Sequence, residues 1–288
     1  MSANALARMA FNWRARVHAL PDTNPDYVQD PRAFATDRFL KRCAAIAGML
    51  GFNLNLLAAL SGTDKFGAHD YTPVYEALMR SRRRKAVTLL EIGVGGYDSI
   101  PGGESLLMWK AYFPRGRIYA IDIHDKTALS RGRLKVFKCS QTDRQQLTGL
   151  GKEIGPFDFV IDDGSHVSSH QIESFRILWP FVKDGGVYIV EDVQTSYWPA
   201  FGGGDVGSMT YYGSCVSFFK SILDSVNLAE FLVPAVPELG LERTIGTVAF
   251  HHNLIVVTKD SSVKRSNIAL EDKSVRNALM APRSGASM

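Results

Sequence analysis

The chain has 288 residues, 45% hydrophobic and 22% charged, the balance of a globular protein with one large domain or one domain plus an appendage. That composition excludes wholesale disorder, a collagen-like chain and a coiled coil, and a net charge of +4 is too small to mark a nucleic-acid-binding face. Cys43, Cys139 and Cys215 lie far apart with no CxxC pair, so no disulfide framework or structural zinc is expected and a reducing cytoplasm fits.

The first twenty residues carry Arg8, Arg14 and Arg16 and hold no unbroken apolar stretch of signal-peptide length. Residues 1–85 read as a helical segment without strands. Leu40, Ala44, Ala47, Met49, Leu50, Leu54, Leu57 and Leu60 recur at helical intervals. Residues 43–63 are uncharged over 21 positions, nominally enough to cross a bilayer. Gly48, Gly51, Asn53, Asn55, Ser61 and Gly62 interrupt that run, so it reads as a buried or interface helix of a soluble protein with no membrane span. The basic run from Arg80 to Lys85 reads as a solvated helix end.

At residue 86 the pattern changes to short β-branched runs alternating with amphipathic stretches, the signature of βαβ units and a parallel sheet. Strands are expected at 87–92, 117–122 and 134–138. The first runs into Glu91-Ile-Gly93-Val-Gly95-Gly96, and the second ends at Asp122. Glycines serve where backbone turns tightly beside a ligand, and an acid closing the next strand can accept both ribose hydroxyls. The dinucleotide pattern GxGxxG is not met, since Tyr97-Asp98 follow. An acid before the glycines (ExGxG) suggests S-adenosylmethionine instead, with a ligand-free turn as the plain alternative.

A fourth strand, 157–162, leads into Asp162-Asp163-Gly164-Ser165-His166, and a fifth, 186–191, into Glu191-Asp192. Neighbouring parallel strands would bring Asp163, Glu191 and Asp192 to one edge of a cleft, where three carboxylates repel unless a cation neutralises them. Oxygen donors without Cys or His favour Mg²⁺ or Mn²⁺. His166 can stand beside such an ion as a general base, its ordinary pKa of about 6.5 suiting neutral pH. Helix capping is the plain alternative for the acids. Between these strands a helix is expected to run until Gly185-Gly186. Residues 195–204 form an aromatic, glycine-rich loop in which Tyr197 and Trp198 suit stacking on a ligand, with an ordinary surface loop as the plain alternative. Residues 246–260 read as an antiparallel hairpin turning at His251-His252-Asn253, and a last helix is expected around 268–279 before a fraying tail.

These residues carry a resemblance. The blocks LLEIGVGGYDSIPGGESLLMW, YAIDIHDK, FDFVIDDGSHVSSHQIESFRILWPFVKDGGVYIVEDVQTSYWPAFGG and VAFHHNLIVVTK resemble the class I S-adenosylmethionine-dependent, metal-dependent sugar O-methyltransferases, macrolide, macrocin and rhamnosyl types and cephalosporin-hydroxylase-like proteins included. The similarity covers roughly residues 63–260, and the IDDGSH and ED pair is its most specific part. It implies a Rossmann-like α/β methyltransferase fold: a mostly parallel seven-stranded sheet with a C-terminal antiparallel hairpin and an N-terminal helical segment. It further implies Asp163, Glu191 and Asp192 as Mg²⁺ ligands, His166 as base, Glu91, Gly93 and Gly95 along the cofactor, Asp122 on its ribose, and Asp162 as a further cofactor residue. Thr63-Asp64-Lys65, His69 and Tyr71 resemble a motif covering the cofactor, which makes Lys65 and Tyr71 contacts. Where the family tends to read Gly-Asp-Gln-Ser-Asp after the third strand, this chain has Cys139-Ser140-Gln141-Thr142-Asp143, leaving Gln141 and Asp143 as adenine-side contacts.

The resulting expectation is methyl transfer to a sugar-type hydroxyl by a cytoplasmic homo-oligomer. Residues 1–85 would serve as cover or interface, 86–260 as the transfer domain and 261–288 as a C-terminal helix and tail. A catechol-type O-methyltransferase is the first alternative and a nucleic-acid methyltransferase the second.

Overall fold

The computed structural model describes residues 2–18, 31–96, 101–204, 213–232, 242–262 and 264–281. Tyr97-Asp98 and the terminal SGASM fall outside these residues, as do 19–30 of the N-terminal segment.

Four helices lead: α1 (Ala3–His18), α2 (Pro31–Met49), α3 (Leu54–Ser61) and α4 (Thr72–Met79). The uncharged run 43–63 is two helices rather than one. Asn53 caps α3 through its side chain, accepting from Leu56 N, and Gly62 ends α3 at φ 90°. The turn also exposes Met49 and Leu50, two of the apolar positions at helical intervals, while Leu40, Ala44, Ala47, Leu54, Leu57 and Leu60 are buried. Among the described residues no helix is long and apolar enough to cross a membrane.

The sheet follows: β1 (Thr88–Ile92), α5 (Glu104–Tyr112), β2 (Arg117–Asp122), β3 (Leu134–Lys138), α6 (Arg144–Ile154), β4 (Phe157–Asp162), α7 (Ser168–Leu178) and β5 (Val182–Glu191). After α8 (Cys215–Ser221) the chain closes with the hairpin β6 (Ile245–His251) and β7 (Leu254–Lys259), then α9 (Lys273–Met280). The order β3-β2-β1-β4-β5-β7-β6 is parallel through β5 and antiparallel beyond it. This is the Rossmann-like methyltransferase architecture. Its chain reversal lies between β1 and β4, where open sheets of this kind form their ligand crevice.

Two expected boundaries moved. The helix before β5 ends at Leu178 because Pro180 cannot continue it. Gly185-Gly186 instead lie inside β5, where pairing with β4 skips from Val182 to Val187 in a bulge. The last helix starts at Lys273, later than 268, because the Asp272 side chain caps it.

Apolar residues cover both faces of the sheet, so β1 is buried along its whole length. One core joins α1–α5 to the sheet, with Leu57, Tyr75 and Trp109 fully buried. The other collects α6, α7 and α8, with Phe175, Trp179 and Phe219. The N-terminal helices thus share a core with the sheet. Most of the basic run is the solvated helix end expected, with Arg80, Arg84 and Lys85 exposed, while Arg82 and Arg83 join the packing. Arg83 donates to Gly48 O (3.3 Å) in the last turn of α2 and to Gly51 O (3.0 Å) just past it, and lies 4.5 Å over the Tyr112 ring, while Arg82 donates to Gly185 O.

Candidate active site

Sheet register places the site. Ile92 pairs with Ile121 and Asp162, and Asp162 with Val190, so Gly93, Asp122, Asp163 and Glu191 emerge from adjacent strand ends. Gly93 has φ +90°, and a Cβ there would stand 2.0 Å from Asp163 O, so the loop needs glycine at that point. Asp122 fastens the same loop, accepting from Val94 N and His124 N, both at 2.8 Å. Gln141 spans the floor, donating to Asp162 Oδ1 (3.2 Å) and accepting from Ser165 N (2.7 Å).

These groups enclose a cavity of about 550 Å³ whose walls include Gly93, Gly95, Asp122, Gln141, Asp163 and His166. Asp192 and the segment Gly62–Asp64 complete one side. The other expected cofactor residues do not line it. Glu91 is fully buried and accepts from Ser105 Oγ at 3.0 Å. Asp143 caps α6, accepting from Gln146 N. Asp162 lies beneath the floor, bonded to Ser174 and to Tyr188 Oη (3.2 Å), and burial pushes its carboxyl up to about 6. Lys65 and Tyr71 reach the acids instead.

The expected metal ligands fall into two groups that share Asp163. In the outer group Asp163, His166 and Asp192 bring ligand atoms within 4.8 Å of one another, and in the inner group Glu91, Asp163 and Glu191 do the same. Lys65 Nζ is seated in the inner group, 2.6 Å from Asp163 Oδ2 and 2.7 Å from both Glu191 oxygens. Burial alone would lower the Lys65 pKa, but Asp163, Glu191 and Glu91 outweigh it and hold the ammonium charged. Burial pushes Glu91 up to about 7 against the pull of Lys65. Asp192 is held below its usual range despite burial by the Tyr71 hydroxyl (2.6 Å), His166 and His69. Three carboxylates, Glu91, Asp163 and Glu191, therefore face one ammonium, with Asp192 beside them. An excess of buried oxygen donors is the setting that a hard divalent ion relieves.

Backbone strain gathers at the same place. Asp70, His166, Asp192 and Asn253 all have φ between 54° and 57°. Such left-handed positions cost about 1–3 kcal/mol each in general and gather at functional sites. They are tied together: Tyr71 Oη lies 3.2 Å from Asn253 O, and Thr195 Oγ1 is 2.8 Å from His166 O and 2.9 Å from Asp192 O. His69 stacks on Tyr71 and stands 3.4 Å from Asp192 Oδ1. His166 Nε2 is 3.7 Å from Asp192 Oδ2, while its Nδ1 has no hydrogen-bond partner among the described residues. Tyr75, whose hydroxyl bonds Glu191, was not foreseen, although its place one helical turn after Tyr71 is a signal for it. Tyr197 and Trp198 stand outside the cavity wall, each 49% exposed, on the loop that Thr195 fastens to His166 and Asp192. His170 bonds Ser165 Oγ at 2.9 Å, and His251 and His252 stay at the hairpin end.

No protein-family model matches the chain. It is 42% identical over 247 residues to the 8-demethyl-8-alpha-L-rhamnosyl tetracenomycin-C 2'-O-methyltransferase of Streptomyces olivaceus, covering 84% of this chain and 64% of that protein. With the mycinamicin VI 2''-O-methyltransferase of Micromonospora griseorubida it shares 40% identity over 212 residues, 72% of this chain and 52% of that one. Among solved structures, the MycE methyltransferase of the mycinamycin pathway, in complex with Mg, SAH and mycinamycin VI, superposes with a TM-score of 0.66 at 38% identity. The match covers 72% of this chain and 54% of that one. A second crystal form with Mg and SAH gives 0.71 over 82% and 60%. The chain spans 46–64% of the length of the curated relatives it matches.

Proposed function

The chain is homologous to sugar O-methyltransferases of tetracenomycin and macrolide pathways, and from that premise we propose that it is an S-adenosylmethionine-dependent O-methyltransferase acting on a hydroxyl of a sugar or glycosylated natural product. The observation that carries the reading is the junction of two features. Asp163, His166 and Asp192 belong both to the wall of the glycine-loop cavity and to the acidic cluster. A methyl donor in the cavity and a cation among the acids would thus meet at His166. SAH, present in the solved relatives, is what S-adenosylmethionine becomes after giving up its methyl group.

The residues divide the work. Gly93 and Gly95 leave room for the cofactor along the loop, and Asp122, already oriented by two backbone N–H groups, offers its remaining lone pairs to ribose hydroxyls. Gln141 holds the floor on the adenine side. Asp163, Glu191 and Asp192 fit Mg²⁺ or Mn²⁺ by their all-oxygen donor set and excess negative charge. A divalent ion bound there supplies Lewis acidity that lowers the pKa of an acceptor hydroxyl. His166, at the cavity wall, accepts the hydroxyl proton as the new C–O bond forms and the C–S bond breaks. Tyr197 and Trp198 receive the sugar, and the Thr195 hydroxyl keeps their loop in register with the base. In-line attack makes positioning the main contribution, up to about 7–11 kcal/mol in well-oriented systems.

The helical segment 1–85 acts as cofactor cover, which Thr63 and Asp64 at the cavity wall support, with 86–260 as the transfer domain and 261–288 as a C-terminal appendage. Exposed Phe39, Ile46, Met49 and Leu50 on and just beyond α2 suit contact between copies in a homo-oligomer, and three unpaired cysteines suit the cytoplasm. The test is methyl transfer from labelled S-adenosylmethionine to a rhamnosylated polyketide with Mg²⁺. The expected result is label on the sugar, abolished by a chelator. Label on a catechol and on no glycoside, or transfer indifferent to chelation, overturns the reading.

A further inference from the structure

Lys65 is the group that the transfer chemistry leaves unused. Its side chain is 1% exposed, and its ammonium bonds Asp163 and both oxygens of Glu191. Tyr75 adds a further bond to Glu191. Lys65 therefore sits on both oxygens of Glu191 and competes directly with any second cation for them. Asp192 differs: its partners are the Tyr71 hydroxyl, the Gln194 amide, His69 and His166, with no ammonium among them.

Deepening the metal-site reading above, on which this rests, we propose that Lys65 is a tethered counter-cation that holds the Asp163–Glu191 half of the site, and that a divalent ion binds by displacing its ammonium inward onto Glu91. Buried carboxylates without a compensating charge are strongly destabilising, so the metal-free protein needs a resident cation there. The backbone around Lys65 is pinned, its carbonyl accepting from Tyr71 N (2.9 Å) and Thr72 N (3.2 Å), whereas the four-carbon side chain can swing. The landing place is already present. Glu91 Oε1 is buried, has no hydrogen-bond partner among the described residues, and lies 3.4 Å from Lys65 Nζ. A shift of about half an ångström converts that spacing into a hydrogen bond, and a further swing of the four-carbon chain past Glu91 is what releases Asp163 and Glu191.

Lys65→Met keeps the length of the side chain and removes its charge. Exchange predicts that Mg²⁺ titrated into the metal-free variant binds about tenfold or more tightly than to wild type, because the competent state no longer competes with the ammonium. It also predicts a metal-free melting temperature below that of wild type, recovered on adding Mg²⁺. A merely structural lysine would leave Mg²⁺ affinity unchanged or weaken it, and either result in a folded Lys65→Met overturns the proposal. Glu91→Gln, which weakens the landing place, should loosen Mg²⁺ several-fold with Lys65 intact; unchanged affinity counts against the inward shift. Should Lys65→Met fail to fold, wild-type crystals grown with and without Mn²⁺ decide. Nζ out of hydrogen-bond reach of Glu191 in the loaded form supports exchange, and Nζ still on both Glu191 oxygens beside bound Mn²⁺ overturns it. Wild type that binds neither Mg²⁺ nor Mn²⁺ removes the metal-dependent reading itself, whereas wild-type binding with no gain in Lys65→Met removes the exchange alone.

Discussion

His166 and Asp162, four residues apart, carry different burdens. His166 at the cavity wall is assigned to proton transfer, a contribution of typically about 100- to 10,000-fold. His166→Ala should lower kcat within that range and leave the cofactor Kd unchanged by calorimetry; a matching loss of cofactor affinity would instead make it a binding residue. Asp162 is a stability group. Its carboxyl, raised by burial to about 6, holds a proton in the folded state that it has lost in the unfolded chain, where its pKa is about 3.9. That contribution is complete below pH ~4 and vanishes as pH rises through 6. Asp162→Asn cannot titrate, so its unfolding free energy from urea melts should gain on wild type by about 2 kcal/mol as pH climbs from 4 to 7. A pH-independent gap would show that Asp162 is ionised in the folded protein. The acids and His166 are legible in sequence because strand register alone brings strand ends together. The Lys65 contacts are not, since they join residues 98 and 126 positions apart across two packed layers.

Among the elements, the loop 195–204 is the one proposed to receive the acceptor. Trp198 rests on Phe201 at a centroid distance of 5.9 Å and leaves half of its surface open. Trp198→Ala should raise the acceptor KM strongly while the cofactor Kd stays put, and equal shifts in both would place the loop elsewhere in the cycle. The elements with clean β-branched runs, β2, β3 and β4, carry the bounds read from sequence. The misreadings have local causes. Pro180 stops α7 earlier than the glycine pair that looked like its end, and those glycines instead serve a bulge in β5. Asn53 and Gly51 split a run whose lack of charge suggested one helix.

At the scale of the molecule, a parallel sheet of βαβ units was readable from the alternation of strands and helices, but its strand order and the fusion of the N-terminal helices with the sheet core were not. Helical periodicity tells which face is apolar, and says nothing of what covers it. That fusion delivers Thr63, Asp64 and Lys65 from outside the sheet to the cavity and the acids. It makes the helical segment part of the site although it precedes β1. The chain reaches this arrangement in 46–64% of the length of its curated relatives. The most direct test is calorimetric titration of S-adenosylmethionine and of Mg²⁺ into wild type and Asp163→Ala. Cofactor binding preserved in both, with Mg²⁺ heat present in wild type and lost in Asp163→Ala, is the predicted result. Absence of cofactor binding under every condition, or Mg²⁺ heat undiminished in Asp163→Ala, would contradict it.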